Sequence, residues 1–318
     1  MPAPHRIDTH HHILPPEWLA EERDRILAGA SNVPVENQTG WSPARAIEAM
    51  DKAGIATAVI SVSTPGVWFG NVQQGRRLAR LCNDYGAHMG QDYPGRFGMF
   101  AAIPLPDVEG SLREIAYALD TLKLDGIGLL TSYGDTWPGD PKYAPVFDEL
   151  NRRKAIVYFH PTAPTCCANL VPEISAASIE YPTDTTRCIT NLLFSGTFTR
   201  CPEIRFIFSH GGGTLPMLAH RIASALIRPA SRHIAQRVPQ GALNAFRALF
   251  YDVASVTNPI SMGALLAFAP ITQVLLGSDF PFWDAGVFAE QLRTLGLAPA
   301  QLSAIERENA LRLFPRFG

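Results

Sequence analysis

The sequence predicts an α/β fold: one (β/α)8 TIM-barrel domain over residues 1–318, with a small loop excursion after the first strand. Eight short apolar segments alternate with helical segments, which is the order of a closed parallel sheet. Nearly every residue in these segments is apolar, as in strands buried on both faces. No Gly-x-Gly-x-x-Gly follows the first segment, which counts against an open dinucleotide-binding sheet.

Local signals set the predicted elements. Ser42 and Pro43 open a helix as its N-cap and first residue, and Gly54 ends it. The mixed, polar stretch 17–40 is the predicted excursion. The predicted strands are Ile7 with the residues just before it, 55–62, 97–103, 126–130, 155–160, 203–210, 249–253 and 273–277. The predicted helices are 42–54, 71–90, 110–122, 143–153, 182–198, 214–227 and 259–268, with a loop over 161–181 and two helices at the end.

The composition limits the classes of function that we expect for the chain. The formal net charge is -2, from 27 basic and 29 acidic residues, so we expect no nucleic-acid or membrane partner. No apolar run is long enough to span a bilayer, and the first residues lack a signal-peptide core. Five cysteines without Cys-x-x-Cys spacing indicate neither a disulfide framework nor a thiolate zinc site. We therefore expect a cytoplasmic protein that acts on a small molecule.

The stretch Ile7-Asp8-Thr9-His10-His11-His12 carries the first candidate site. Side chains alternate along a strand, so His10 and His12 share a face and can bind one ion. Asp8 has the same parity and is predicted to support the pair from behind. A purification-tag remnant or a solvated terminus is the alternative, but a tag is not set between an apolar strand and a Pro-Pro turn.

More polar residues stand at the carboxyl ends of other predicted strands. Together with the first pair they are His10, His12, His160, His210 and Asp279. These strand ends meet at one mouth of a barrel. One buried histidine at such a place is ordinary, whereas five such residues are hard to explain by packing alone. The set predicts a metal ion held by three imidazoles and one carboxylate, with a position open for water or substrate.

These residues resemble a known family. The matching motifs are His10-x-His12, His160, His210-Gly211-Gly212-Gly213 and Gly277-Ser278-Asp279-Phe280-Pro281. They resemble the amidohydrolase superfamily over nearly the whole chain, and within it the branch of aminocarboxymuconate-semialdehyde and salicylate- or resorcylate-type decarboxylases. The resemblance implies that His10, His12, His160 and Asp279 hold the metal, and that His210 stands just off it.

Binuclear members of the superfamily carry a carboxylated lysine after the fourth strand, where this chain has Leu129-Leu130-Thr131. One divalent ion per chain is therefore expected, Zn²⁺ first and Mn²⁺ as the alternative. The resemblance implies non-oxidative decarboxylation of a small aromatic or unsaturated acid, of salicylate or muconate-semialdehyde type. His210 and Asp279 are the candidate catalytic residues. A metal-dependent lactonase or amidohydrolase, a hydratase and a non-catalytic binding protein are the alternatives.

Two residues are predicted to bind substrate. In the muconate-semialdehyde branch an arginine eleven positions after the off-metal histidine reaches a neighbouring subunit's site, and Arg221 has that offset from His210 (221 − 210 = 11). The resemblance thus implies a homodimer or dimer of dimers, a solvent-facing arginine being the alternative. Phe282, with Trp283 and Trp68, would form a flat slot for a ring, or pack loops together. We interpret the glycine run as room for close backbone approach beside the metal.

Overall fold

The computed structural model describes residues 5–29, 34–168 and 170–318. Eight parallel strands follow one another around a single sheet in the order β1 to β8. The strands are β1 (Arg6–Ile13), β2 (Ile55–Val62), β3 (Phe97–Ala102), β4 (Gly126–Leu130), β5 (Ile156–His160), β6 (Arg205–Phe208), β7 (Phe250–Asp252) and β8 (Val274–Leu275). Backbone bonds from Thr9 to Leu276 (2.9 Å) and from His12 to Phe280 (2.7 Å) join the first strand to the segment that starts at β8. The predicted (β/α)8 barrel is confirmed.

Helices connect the strands on the outside. They are α1 (Pro16–Glu21), α2 (Arg23–Gly29), α3 (Val35–Thr39), α4 (Pro43–Lys52), α5 (Val72–Asp92), α6 (Val108–Ala116), α7 (Ala144–Arg152), α8 (Ala176–Phe194), α9 (Thr197–Arg200), α10 (Leu215–Leu226), α11 (Arg232–Ala235), α12 (Ala242–Arg247), α13 (Pro259–Phe268), α14 (Val287–Leu292), α15 (Pro299–Ser303) and α16 (Asn309–Leu313). The short helices α1 to α3 form the predicted excursion after β1. None of the described helices is long and apolar enough to cross a bilayer.

Local chemistry explains where the helices begin. The Ser42 hydroxyl accepts a hydrogen bond from the Arg45 amide, and Gly54 takes a left-handed φ of 66° after α4, as predicted. The predicted start of the helix before β6 was wrong. That helix, α8, begins at Ala176 because Ser175 caps it, and Pro182 lies inside it. A proline there removes one backbone hydrogen bond but does not end the helix in this context.

The amino-terminal part of the barrel is filled with apolar side chains. Buried residues from most of the strands meet there, including Ile7, Val59, Phe100, Tyr158 and Ile207. The rings of Phe100 and Tyr158 stack with centroids 4.9 Å apart. Phe314 and Phe317 from the end of the chain join this cluster. Polar side chains therefore meet at the other mouth, where the strands end.

Candidate metal centre

Four of the five predicted residues form one compact group. The ligand atoms of His10, His12, His160 and Asp279 all lie within 4.8 Å of one another, and all four residues are buried. The Nε2 atoms of His10 and His12 are 3.0 Å apart, and each is 3.2 Å from Oδ1 of Asp279. The fifth residue, His210, lies beside this group, with its ring centroid 4.8 Å from that of His10.

Hydrogen bonds turn the three imidazoles toward a common point. The Nδ1 atom of His10 lies 3.0 Å from Asp252, and that of His160 lies 2.9 Å from the carbonyl of Pro161. His12 places Nδ1 at 3.2 Å from the Ser61 hydroxyl. A carboxylate or carbonyl only accepts, so Nδ1 of His10 and of His160 carries the proton and Nε2 keeps its lone pair. This arrangement is typical of histidines that bind a metal through Nε2.

The carboxylate completes a set that fits a divalent cation. Oδ1 of Asp279 is buried and accepts no hydrogen bond in favourable geometry. A buried, unpaired acceptor costs free energy unless a cation or donor satisfies it. Three imidazole nitrogens and one carboxylate oxygen are a donor set that zinc and related ions take. The residues therefore fit one metal ion between them.

The pKa values of the four residues also fit a metal site. Burial opposes charge on His10, but the carboxylates of Asp252 and Asp279 outweigh it and raise the pKa of His10 to about 10. Burial lowers the pKa of His12 to about 4 and that of His160 well below its usual range. Burial opposes charge on Asp279 too, yet the neighbouring His10 holds its pKa well below normal. Without a cation, the raised pKa of His10 would place a proton on its Nε2 as well. A divalent ion held by the four residues would take the place of that proton and leave Nε2 as a ligand.

Asp252 is a site residue that the sequence analysis missed. It ends β7, is fully buried, and faces Nδ1 of His10 through one carboxylate oxygen. The other oxygen accepts from the amides of His210 (3.1 Å) and Ala254 (3.0 Å). It therefore orients one metal-site histidine and the backbone of another. Its place at the end of a predicted strand was the available signal.

Asp8 supports the site from behind, as predicted, but it does so through the backbone of His10 and the ring of His11 rather than through a ligand ring. The pairing register between β1 and β2 shifts between Asp8 and His11, where a bulge inserts one extra residue. The strict alternation assumed from sequence fails there, and Asp8 contacts Nδ1 of His11 at 2.9 Å. It also accepts from the amide of His10 and from Ser278. Asp8 therefore holds the backbone of the site rather than a ligand ring.

His210 has the geometry of a base. Its Nδ1 lies 3.1 Å from the carbonyl of Ala254, so this nitrogen carries the proton and Nε2 remains basic. Burial lowers the pKa of His210, which keeps the ring neutral. His210 and Asp279 both adopt left-handed backbone, with φ of 51° and 56°. Such strain in non-glycine residues concentrates at functional sites.

The glycine run gives room for close approach, as interpreted, and the elements that approach it are α8 and β7 rather than the metal ligands themselves. A Cβ on Gly213 would lie 2.0 Å from the carbonyl of Pro182, and one on Gly212 would lie 2.7 Å from the ring of Tyr251. This long-range packing is invisible in local sequence. Gly277 allows a further close approach, to a metal ligand: a Cβ there would be 2.8 Å from Cβ of His10.

A cavity opens beside the metal group among the carboxyl ends of β2 to β5. Its empty space is about 460 Å³, part of it open to solvent, and His160 and Ser61 lie in its wall. Trp68 also lines it, as predicted for an aromatic near the site. Phe282 is not in this wall, but its ring lies 5.4 Å from that of His12. Trp283 is 49% exposed and packs against Phe288.

Arg221 lies away from this centre on the outer surface. It is exposed on α10 and is not among the residues that line the cavity. Met217 on the same helix is 73% exposed. The predicted role of Arg221 in a neighbouring subunit stays a prediction.

Comparison with known proteins places the chain in a family. Residues 7–316 match the family described as amidohydrolase (Amidohydro_2). Decarboxylase yanB of Aspergillus niger is 36% identical, over 98% of this chain and 88% of the relative. 6-Methylsalicylic acid decarboxylase of Penicillium expansum is 33% identical, over 98% and 96%. The chain belongs to this amidohydrolase family, as the resemblance predicted.

Other matches are more distant. 2-Amino-3-carboxymuconate-6-semialdehyde decarboxylase of Dictyostelium discoideum is 24% identical, over 87% of this chain and 82% of the relative. The structure of a dihydroxybenzoic acid decarboxylase from Polaromonas sp. JS666, with manganese and 2-nitroresorcinol bound, superposes with a TM-score of 0.84. It is 22% identical and covers 98% of this chain and 97% of that chain, so the likeness concerns the fold. The named curated relatives are carboxy-lyases.

Proposed function

We propose that this protein is a metal-dependent, non-oxidative decarboxylase of a salicylate-type acid. The observation that carries the proposal is the compact, buried group of His10, His12, His160 and Asp279 with the neutral base His210 beside it. Decarboxylases at 36% and 33% identity support the reaction class. One of these relatives is named for a methylsalicylic acid, which favours the salicylate type over the muconate type.

The proposed metal is one divalent ion per chain, held by His10, His12, His160 and Asp279. Three imidazoles with a single carboxylate favour Zn²⁺, whereas Mn²⁺ prefers more oxygen donors. Manganese nevertheless occupies the Polaromonas structure of the same fold. Mn²⁺ is therefore the alternative, and metal analysis distinguishes the two.

In the proposed reaction the bond between the ring carbon and the carboxylate breaks, CO₂ leaves, and the electron pair stays on the ring carbon, which then takes a proton. A bound divalent ion would supply a Lewis acid that orients the carboxylate and a neighbouring oxygen. His210, with a basic Nε2, would accept a proton from the substrate and return one. Asp279 is the second candidate proton carrier. His10, His12 and His160 are buried, which would limit the access of water to this exchange.

We also propose a cytoplasmic homodimer, or dimer of dimers, in which Arg221 reaches the partner's site. Exposed Met217 and Leu218 on α10 give the helix an apolar outer face beside Arg221. Arginine binds a carboxylate through two charge-assisted hydrogen bonds. The free, exposed Cys166 suits a reducing compartment.

The test is CO₂ release from a panel of hydroxybenzoates and muconate-type acids by the metal-loaded protein. We expect release from at least one salicylate-type acid. Release from none of them, together with hydrolysis of lactones or amides, would replace the decarboxylase with a hydrolase.

A further inference from the structure

The cavity beside the metal group differs sharply from the group itself. Its wall is made largely of apolar side chains from the ends of β2, β3 and β4 and the loops that follow them. They include Val62, Ile103 and Leu130. Among the described residues that line the cavity there is no Asp, Glu, Lys or Arg.

The few polar groups in the wall are mostly hydrogen-bonded within the protein already, or are uncharged. Ser61 faces Nδ1 of His12, and the hydroxyl of Tyr133 accepts from the amide of Leu130. Tyr158 is buried with no hydrogen-bond partner for its hydroxyl. Burial raises the pKa of both tyrosines, so both remain uncharged. The cavity can donate one or two hydrogen bonds, but it offers no countercharge.

Charge therefore divides the site into two ends. Within this chain, a substrate carboxylate would find a cationic partner at the metal end, where His160 forms part of both the ligand group and the cavity wall. The ring and its substituents must then lie against the apolar wall. A second carboxylate there would be buried without a partner, which is strongly unfavourable, whereas an alkyl group would gain by leaving water.

We propose that this cavity selects a monocarboxylic salicylate that carries an apolar ring substituent, over acids that carry a second hydroxyl or a second carboxylate on the ring. The inference rests on the proposed decarboxylase function. Val62, Ile103 and Leu130, at the ends of three neighbouring strands, are the specificity-determining residues. Arg221 is exposed on the outer surface of its own subunit and is not among the residues that line this wall.

The first measurement is kcat/KM of the metal-loaded enzyme for three acids: 6-methylsalicylate, 2,6-dihydroxybenzoate and a hydroxyisophthalate. The first two differ only in a methyl or hydroxyl group at one position. We expect the methyl compound to be preferred by roughly 10-fold or more over the dihydroxy compound, the range that one apolar group gives in a hydrophobic pocket. The dicarboxylic acid should fall about 100-fold or more below it, because its second charge stays unpaired. Equal or better turnover of either polar acid would overturn the proposal.

The second measurement assigns the selectivity to the wall. Leu130→Asn should reduce the preference for methyl over hydroxyl by about 10-fold, since it adds a polar group of similar size. Leu130→Met, which keeps an apolar side chain of similar volume, should retain the preference. Metal content and the circular dichroism spectrum verify that both variants fold. An unchanged preference in folded, metal-loaded Leu130→Asn would contradict the assignment.

The decarboxylase proposal and the proposed apolar selectivity of the cavity can fail independently, and the experiments distinguish the two failures. If no acid releases CO₂, the decarboxylase proposal fails, and calorimetry with 3-methylphenol and resorcinol still tests the cavity in the metal-loaded protein. Tighter binding of 3-methylphenol supports an apolar subsite. Tighter binding of resorcinol overturns it.

Discussion

The two halves of the barrel mouth have opposite chemistry. Strands β1 and β5 to β8, with the loops that follow them, bring together four histidines and two aspartates, all within a few ångströms. Strands β2 and β4 end instead in Val62 and Leu130, and Ile103 directly follows β3; all three lie in a wall without charge. Ser61 is the polar link between the halves, through His12. The difference supports the proposal that one half performs the reaction and the other half selects the substrate.

Removing a metal ligand should have the largest effect. His160→Ala takes away one of four donors, so we expect metal affinity to fall by more than about 100-fold, beyond what loss of a supporting residue does. Turnover should fall to background. Elemental analysis after dialysis and a CO₂ assay measure both, with exposed His88→Ala as the control. Full metal retention by His160→Ala would remove this histidine from the ligand set.

Removing the base should separate turnover from metal binding. His210→Asn and His210→Ala should both keep about one metal per chain and lose roughly 10²–10⁴-fold in kcat. Asparagine is the better substitution because residue 210 has a φ of 51°, which asparagine tolerates. His220→Ala, exposed on α10, is the matched control. An empty metal site in folded His210→Asn would show that His210 is a ligand.

Removing the charge of Asp252, the carboxylate that positions His10, should lower metal affinity less than removing a ligand does. Asp252→Asn leaves an oxygen for Nδ1 of His10 but removes the negative charge that makes this imidazole a better donor. We expect metal affinity to fall by about 10–100-fold. Competition with a chelator measures the affinity, and exposed Asp92→Asn serves as the control. Wild-type affinity in Asp252→Asn would mean that the carboxylate only packs against His10.

Arg221→Ala tests whether a partner subunit adds a charge to this site, and its effect should be the smallest. We expect a raised KM with metal content unchanged, because one bidentate contact to the substrate is lost. Arg228→Ala, near the end of the same helix, is the control. The mixing test is run at a substrate concentration far below the raised KM, where Arg221→Ala alone turns over slowly. Random mixing with His160→Ala subunits should then restore about a quarter of wild-type activity, since half of the dimers are mixed and one of their two sites is whole. No recovery would remove the shared site.

The sequence predicted the reactive half better than the selective half. Histidine and aspartate at strand ends stand out chemically, so the four ligand candidates and His210 could be located from the strand pattern alone. Asp252 was missed because a single aspartate at the end of β7 gives the same sequence pattern as any buried carboxylate without a role in the site. Val62 and Leu130 could not be distinguished from core residues, since an apolar strand end gives the same pattern whether it faces a cavity or a helix.

The contacts that the sequence did not predict share a physical cause, which is packing between distant segments. The bulge in β1 that turns Asp8 toward the ring of His11 depends on how this strand pairs with β2. The close approach of Gly213 to Pro182 depends on α8 lying beside the turn after β6. The roles of Arg221 and Phe282 and the single-domain boundary at 1–318 remain predictions.

The central claim is that one metal ion per chain makes this site a decarboxylase. The most direct test removes the metal with a chelator and titrates the apoprotein with Zn²⁺, and separately with Mn²⁺, while measuring CO₂ release from a salicylate-type acid. We predict no release without metal and a rise that breaks at one equivalent per chain. CO₂ release that persists in the metal-free protein, or that rises to a break at two equivalents, would contradict the account.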